Sequence, residues 1–503
     1  MERKYQEIEK KVRNEGFFSE YLPPCFKVNE KIFWKVPQEK CDLIPPYCFT
    51  MSRFDKNDSR RNIYIPEIGA YAAAYQYMKD KKILEELIQF TEQNGGHSFS
   101  PILDENDSPL RHEQVYPEKS GDSSYIKNIV KKIIRSKGAK KILMLDISNC
   151  FSSFYCHMIP TILLGLEKTK EEYKKYLRSS ENIDEVYKRY KGLDDIIRRQ
   201  NENRTNGLLV GSSYARIIME GVLTRIDMEL EQKGISFSRY VDDYEVYLYN
   251  ADDEKRYISI FTEILKNYGF SLNFEKTKVV DFPYYIVENL DKIIECYRNS
   301  NREDSDLMSL FNHFLTLEQN GTKGAIRYLL KSLEKSPIEI NDEHKDLMKS
   351  YLLTILSNDE RSLGKACALL ITGNEKNSLD EEDIRVLNEM LKMHIAMNHD
   401  LEALWLLYVL IKCGKISSER EIVSLIIESK NELAQAMLLR KELLTQEEKV
   451  LVKEQAESWI LLYELYAASL LEEEELTQKL GLFRNKEMYD HMKRNEIHFL
   501  SFD

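Results

Sequence analysis

The segment ISFSRYVDDYEVYLYN, residues 235–250, decides the fold because it encodes two strands joined at an acidic turn. β-Branched and aromatic residues flank Asp242 and Asp243 on both sides, as a strand, a tight turn and a second strand require. A bare pair of adjacent aspartates is most often a solvated acidic turn. Adjacent carboxylates also repel each other unless a cation or water lies between them. We therefore predict a hairpin with both aspartates at its tip, and we look elsewhere in the chain for a third carboxylate.

A third carboxylate stands about a hundred residues earlier, in KKILMLDISNCFSSFY, residues 140–155, where an apolar run ends at Asp146. On its own, such an aspartate more often caps the following helix. Phosphoryl transfer, however, needs two hard divalent ions about 4 Å apart, and carboxylates from neighbouring strands supply such a site. We expect Asp146 and Asp242 to bridge two Mg²⁺ ions, with Mn²⁺ as an alternative. Asp243 would lie nearer the edge, and the backbone carbonyl of Ile147 would complete the coordination.

Two further segments carry weaker signals. In ILKNYGFSLNFEKTKVV, residues 264–280, a helix ends at Gly269 and a short strand leads to Lys276. That lysine could neutralise triphosphate charge or protonate a leaving pyrophosphate, although a solvated lysine is the ordinary interpretation. Between the aspartate motifs, Gly207 and Gly211 precede a long helix that the pattern predicts to be amphipathic, and such a loop permits close approach of backbone to phosphate or sugar.

Composition is that of a globular protein, with 43% hydrophobic and 31% charged residues in 503. The formal net charge of −12 is unusual for a protein that handles nucleic acid, but residues 127–141, KNIVKKIIRSKGAKK, are locally basic. Eight scattered cysteines form no Cys-x-x-Cys pair, which predicts reduced core residues. The chain shows neither a signal peptide nor an apolar run long enough to span a bilayer, so we expect a cytoplasmic protein without membrane contact.

The chain divides into two predicted regions. Residues 1–290 mix helical and strand patterns, whereas amphipathic helical segments alone recur over residues 291–503. The fold class is therefore α+β followed by an all-α domain with irregular, HEAT-like helical repeats. The polar stretch NSNREDSD, residues 299–306, or the residues slightly before it, would mark the boundary, which we place near residue 290.

The order of the motifs resembles the fingers and palm of reverse transcriptases. An aspartate with a phenylalanine five residues on is followed by Gly-x-x-x-Gly and a helix, Tyr-Val-Asp-Asp and Leu-Asn-x-x-Lys-Thr-Lys. Within that group, residues 60–330 are most similar to the abortive-infection (Abi) reverse transcriptases of bacterial phage defence. The similarity lies in DISNCFSSFYCHMIP, SRYVDDY, NFEKTKVVDFP and GTKGAIR. The helical half also matches what that family carries in place of a thumb.

The resemblance assigns roles by position. It implies catalytic and metal-binding roles for Asp146, Asp242 and Asp243, and a catalytic role for Lys276. Phe151 would lie beneath the sugar, where its ring would exclude a 2′-hydroxyl and select deoxynucleotides. Gly211 would contact substrate, and Arg60 and Arg61 are candidate fingers residues for the triphosphate, with a surface role nearly as plausible.

The resemblance also implies an activity. GLLVGSSYA, residues 207–215, lacks the Gln-Gly and Ser-Pro elements that accompany template handling in ordinary reverse transcriptases. An Abi enzyme makes DNA from dNTPs without a template, starts on a protein hydroxyl, usually of tyrosine, and stays attached to its single-stranded product. Tyr5, Tyr21 and Tyr47 are among the candidate primers, and homo-oligomers are expected. The alternatives are a template-dependent RNA-directed DNA polymerase and a catalytically idle palm that senses phage.

Overall fold

The computed structural model describes most of the chain. The described residues are 2–29, 31, 41–54, 59–103, 124–178, 182–250, 252–285, 288–301, 303–335, 345–372, 379–416, 420–482 and 484–502. All nine residues of the predicted site fall within these ranges. Residue 302, in the predicted boundary segment, lies outside them, as do residues 286 and 287.

The predicted hairpin forms, and it belongs to a four-stranded antiparallel sheet with strand order β4-β5-β3-β6. A separate two-stranded antiparallel sheet comes first in the chain and pairs Tyr47 with Ile65. The strands are β1 (Tyr47–Ser52), β2 (Arg60–Ile65), β3 (Lys141–Asp146), β4 (Phe237–Tyr240), β5 (Asp243–Leu248) and β6 (Lys278–Asp281). The β-branched and aromatic run KTKVVDFPYYIV, residues 276–287, also predicts a strand, and the described part of it forms β6 over Lys278–Asp281.

Ten helices precede residue 290 in the described chain. They are α1 (Glu2–Glu15), α2 (Ile68–Asp80), α3 (Ile83–Asn94), α4 (Ser124–Arg135), α5 (Cys150–Ser153), α6 (Thr161–Leu164), α7 (Leu166–Arg178), α8 (Glu185–Arg199), α9 (Ser213–Gln232) and α10 (Asp253–Asn267). The prediction of an amphipathic helix after Gly211 is wrong for α9. That helix is buried along most of its length because α3, α6 and α10 all pack against it.

From residue 290 onward the described chain is helical, as the sequence predicted. The helices are α11 (Leu290–Arg298), α12 (Asp304–Gln319), α13 (Ala325–Lys335), α14 (Lys345–Asn358), α15 (Leu363–Thr372), α16 (Glu381–Ala396), α17 (Asp400–Lys412), α18 (Arg420–Glu428), α19 (Glu432–Arg440), α20 (Gln446–Gln455), α21 (Trp459–Ala467), α22 (Glu473–Leu480) and α23 (Lys486–Arg494). Helix α13 packs on α15, α15 on α17, α17 on α19 and α19 on α21. Successive odd-numbered helices therefore stack in a row, and the HEAT-like class remains a prediction.

The two halves share one hydrophobic core. It runs without interruption from Leu143 on β3 through Ile65 on β2 to Leu404 on α17. Helix α17 is buried throughout because β1, α15, α16 and α19 surround it. The prediction that all cysteines lie in the core is wrong for Cys48 and Cys296, which are exposed, although all eight are free thiols. In the part of the chain described here, no helix is both long and apolar enough to cross a bilayer.

Candidate active site

Strand register brings the three predicted aspartates to one edge of the sheet. Asp146, the last residue of β3, pairs directly with Asp243, the first residue of β5, and Tyr240 on β4 pairs with the same Asp243. Asp242 lies in the turn between β4 and β5, where its carbonyl accepts the Ile147 N–H at 3.3 Å. Carboxylates that lie far apart in sequence are thus neighbours in space.

The proximity of these carboxylates shifts their proton affinities. Burial raises the pKa of Asp242 to about 6, with a further increase from the charge of Asp146. Desolvation also raises the pKa of Asp243 to about 7, followed by the charges of Asp242 and Asp146. The Asp243 side chain reaches solvent, so its repulsion is more screened than that of Asp242. The cluster therefore carries negative charge that the surrounding protein does not fully balance.

The side chain of Lys276 reaches this cluster. The Lys276 ammonium donates to Asp146 Oδ1 at 2.8 Å while the lysine side chain remains 65% exposed. Desolvation opposes the ammonium charge, but the hydrogen bond to Asp146 and the charges of the three aspartates raise the pKa of Lys276 overall. The lysine is therefore protonated at neutral pH and is exposed enough to turn from Asp146 toward a phosphate.

The donor set suits a divalent cation. Among the described residues, no group of three or more His, Cys, Asp or Glu side chains already stands in a metal-binding arrangement. Hard cations prefer carboxylate oxygens, and the raised pKa values of Asp242 and Asp243 indicate carboxylates that a bound cation would stabilise. The Ile147 N–H points to Asp242, and in an extended strand the carbonyl of the same residue faces the same side. Asp146, Asp242, Asp243 and the Ile147 carbonyl can therefore hold such an ion.

A buried arginine contacts the turn that contains Asp242. Arg239 on β4 is 1% exposed and bonds two carboxylates of α9: Nε to Asp227 at 2.9 Å and Nη2 to Glu220 at 2.8 Å. Its Nη1 also donates to the carbonyl of Val241 at 3.0 Å. The Tyr244 hydroxyl donates to Asp227 at 3.0 Å. This network ties both strands of the hairpin to α9.

The same turn contains a strained residue. Val241 has φ 54°, a left-handed conformation that a β-branched side chain rarely adopts. Its carbonyl accepts from Arg239, and its N–H donates to Ser100 Oγ at 2.8 Å. Such a conformation costs on the order of 1–3 kcal/mol and persists only where surrounding contacts over-determine it. These contacts therefore hold Asp242 in its position at the tip.

The glycine loop before α9 rests on both neighbouring elements. The Leu208 N–H donates to the Phe151 carbonyl at 2.9 Å, and the Val210 carbonyl accepts the Tyr64 N–H at 2.7 Å. Gly211 has φ 127°, and a Cβ there would stand 2.7 Å from the Tyr64 carbonyl. Only glycine fits this close approach of loop to β2. Phe151 lies beside this loop, half-buried against the core, five residues after Asp146.

Arg60 and Arg61 point to other partners than the aspartates. The Arg60 guanidinium forms ion pairs with Glu402 on α17, at 2.5 Å, and with Glu360, at 3.8 Å. Arg61 stacks over the ring of Tyr21 at 5.3 Å. Both contacts join β2 to other parts of the chain. The structure therefore brings Asp146, Asp242, Asp243, Ile147 and Lys276 together. Phe151 lies on α5 and Gly211 on the loop next to it, whereas Arg60 is engaged with the helical half.

The candidate priming tyrosines differ in exposure. Tyr47 is buried, and desolvation raises its pKa well above the ordinary value. Tyr21 and Tyr5 are half-buried, and the Tyr5 hydroxyl accepts from Gln89 Nε2 at 3.3 Å. A hydroxyl that must reach a nucleotide needs access, so Tyr47 is the poorest of the three candidates.

The sequence interpretation missed the supporting residues Arg239, Glu220 and Asp227. A signal for them exists in the chain. In β4, Arg239 shares its face with Phe237, which is directed to the core, and a charged residue at such a position requires a buried partner. Glu220 and Asp227 are seven residues apart on α9, hence on one face two turns apart.

Comparison with known proteins agrees with this arrangement. A family-wide sequence profile, described as reverse transcriptase (RNA-dependent DNA polymerase), matches residues 77–329. No curated protein matches the chain. Domains of this family generally use divalent metal ions.

Solved structures with similarity to the chain include three telomerases. One is telomerase from Candida tropicalis in complex with a TWJ fragment of telomeric RNA, with 14% identity and TM-score 0.32 over 76% of this chain and 64% of that chain, less than two thirds of its length. Another is telomerase from Candida albicans with the same kind of RNA fragment, with 12% identity, TM-score 0.30 and coverage of 90% and 70%. The third is apo telomerase from Candida tropicalis, with 13% identity, TM-score 0.35 and coverage of 74% and 70%.

The profile match spans half of the chain and includes β3, the hairpin of β4 and β5, and Lys276. The chain therefore belongs to the reverse transcriptase (RNA-dependent DNA polymerase) family.

Proposed function

We propose that the chain is a metal-dependent DNA polymerase that extends DNA without a template, from a hydroxyl of its own, usually that of a tyrosine. The observation that carries the polymerase activity is the meeting of Asp146, Asp242 and Asp243 at one sheet edge, with Lys276 bonded to Asp146. Residues 77–329 form the nucleotidyltransferase domain of the reverse transcriptase type.

The proposed chemistry assigns each group a task. Divalent ions, Mg²⁺ or Mn²⁺, would activate the attacking hydroxyl and clamp the triphosphate when bound. Asp146, Asp242 and Asp243 would hold these ions at the edge of the sheet. Lys276 balances the charge that develops on the leaving pyrophosphate and can donate it a proton. Phe151, beside the glycine loop, excludes a 2′-hydroxyl.

Untemplated, protein-primed synthesis rests on different support. The motifs resemble those of the Abi enzymes, and residues 207–215 lack the Gln-Gly and Ser-Pro elements of template handling. The same proposal has four further parts: a role in phage defence, a bacterial cytoplasmic location, a homo-oligomeric assembly and a HEAT-like helical domain over residues 291–503.

A second candidate is a template-dependent enzyme. The description of the matched family, RNA-dependent DNA polymerase, favours it directly. Such an enzyme would need a basic surface for its RNA, against a net charge of −12.

One experiment separates these functions. Purified protein is incubated with labelled dNTPs and Mg²⁺ or Mn²⁺, without primer or template, and analysed on denaturing gels before and after protease treatment. Label that migrates with the wild-type protein, and is lost in Asp242→Asn, supports self-primed synthesis. Incorporation only after addition of an RNA template and primer establishes the second candidate. Absence of incorporation under every condition, with folded protein, would contradict both and leave an interaction module.

A further inference from the structure

An exposed aromatic residue lies close in the chain to the lysine that contacts Asp146, and it has no role in the chemistry above. Phe274 is 65% exposed, lies two residues before Lys276 and packs into no core. Exposing a large apolar ring forgoes the stabilisation that burial would give it. The exposed ring of Phe274 is therefore a candidate contact for a ligand.

The backbone that carries Phe274 is fixed to the catalytic strand. The Asn273 N–H donates to the Asp146 carbonyl at 2.8 Å. The next residues form a closed turn, because the N–H and the hydroxyl of Thr277 both donate to the Asn273 carbonyl, at 3.1 Å and 2.9 Å. Just upstream, Ile147 and Leu272 form a β-bridge. The backbone on both sides of Phe274 is therefore tied to Asp146.

The distance from this ring to the aspartates is of nucleotide size. Residues across an antiparallel pair have Cα atoms about 5.5 Å apart when hydrogen-bonded, and consecutive Cα atoms are about 3.8 Å apart. The Cα of Phe274 therefore lies within about 9 Å of the Cα of Asp146. A nucleotide whose phosphates lie at the aspartates extends its base over a similar distance.

We propose that Phe274 is a stacking platform for the nucleobase of the nucleotide unit bound at the aspartates. The proposal deepens the proposed polymerase function and rests on it. Every base has an apolar face, and stacking on an aromatic ring tolerates sequence, which fits an enzyme that adds nucleotides without reading a template. The nucleobase belongs either to a free dNTP or to the end of a DNA strand.

Phe282 provides a matched control. It is also a phenylalanine and is 77% exposed, but it follows Asp281, which pairs with Lys141 at the opposite end of β3 from Asp146. The ends of β3, Lys141 and Asp146, are five residue steps apart, about 16 Å at 3.3 Å per residue. Loss of the Phe282 ring reports the general effect of removing an exposed phenylalanine without affecting the catalytic edge.

The test compares Phe274→Ala, Phe274→Trp and Phe282→Ala with the wild-type protein. Equilibrium binding of dATP and of a single-stranded oligodeoxynucleotide is measured with Ca²⁺, and KM and kcat are measured with Mg²⁺. Phe274→Ala should weaken binding or raise KM about 5- to 150-fold, the equivalent of about 1–3 kcal/mol per stacked base, with kcat little changed. Phe274→Trp should restore binding, and Phe282→Ala should behave as wild type.

The two arms identify the source of the base, because a loss confined to dATP assigns a free nucleotide and a loss confined to the oligonucleotide assigns the strand end. Unchanged binding of both ligands by folded Phe274→Ala would overturn the proposal. That result differs from failure of the polymerase function, which would appear as absent incorporation by the wild-type protein.

Discussion

Replacing Asp242 by asparagine removes a carboxyl group whose pKa, about 6, lies well above that of a free aspartate. In the unfolded chain an aspartate ionises near pH 4. Between these values the unfolded chain has released a proton that the folded protein retains, so Asp242 lowers the stability of the folded protein progressively as the pH rises. The loss is absent below about pH 3, and it is complete above about pH 7.

We therefore expect metal-free Asp242→Asn to be more stable than the wild-type protein above pH 7, by about 1 kcal/mol after allowance for solvent screening. Denaturant unfolding in EDTA at pH 5 and pH 8 measures this difference, which should be smaller at pH 5. Added Mg²⁺ should stabilise the wild-type protein and not the variant. If the variant is less stable than the wild-type protein at pH 8, the ionised Asp242 carboxylate does not destabilise the folded protein, and the prediction is wrong. Incorporation of dNTPs should be lost in either case.

At the scale of elements, the hairpin of β4 and β5 depends on Arg239. This side chain forms ion pairs with Glu220 and Asp227, and all three are buried. Removing one partner of a buried ion pair leaves an uncompensated charge and costs about 3–5 kcal/mol. We expect Arg239→Met to lose stability of this order and, because the Val241 carbonyl also loses its donor, to lose incorporation activity.

Arg225 serves as the control for this prediction. Arg225 lies on α9, and its guanidinium donates to the backbone carbonyls of Ile162 and Leu163, at 2.9 Å each. Arg225→Met leaves no buried carboxylate without a partner, so we expect a loss of about 1 kcal/mol per hydrogen bond removed. Urea unfolding of both variants tests the difference. Equal losses would show that the Arg239 network is not the support of the hairpin.

The sequence predicts those elements whose formation depends on neighbouring residues, and it fails where a contact involves residues far apart in the chain. The β-branched and aromatic residues around Asp242 and the apolar run before Asp146 predicted β3, β4 and β5, because strand propensity depends on residues that are neighbours in sequence. The direction of Arg60 was not predictable, because its partner Glu402 lies 342 residues away. The burial of α9 escaped prediction for a related reason, since three helices distant in sequence cover it.

At the scale of the whole molecule, the helical half is locked onto β1 and β2 by polar contacts. The Thr50 N–H donates to Asp400 at 2.8 Å, and the Trp459 indole donates to the Ile65 carbonyl at 3.4 Å. The buried Glu67 carboxylate accepts from the Asn485 amide and the Tyr489 hydroxyl, each at 3.0 Å. These hydrogen bonds and the shared hydrophobic core form the joint between the helical half and the rest of the chain.

Arg60 lies at this joint, where it pairs with Glu402 of α17. A substitution of Arg60 can therefore show whether its guanidinium serves the joint or binds the substrate. Glu402 is 2% exposed, so Arg60→Met leaves a buried carboxylate without its main cation and should cost about 3 kcal/mol or more of stability. If Arg60 acts only in the joint, KM for dNTPs measured well below the unfolding temperature should stay at the wild-type value. The double variant Arg60→Met with Glu402→Gln should regain part of the lost stability, because no buried charge is then left uncompensated. A raised KM in both variants would instead assign Arg60 to the triphosphate, and would require the guanidinium to leave Glu402 when substrate binds.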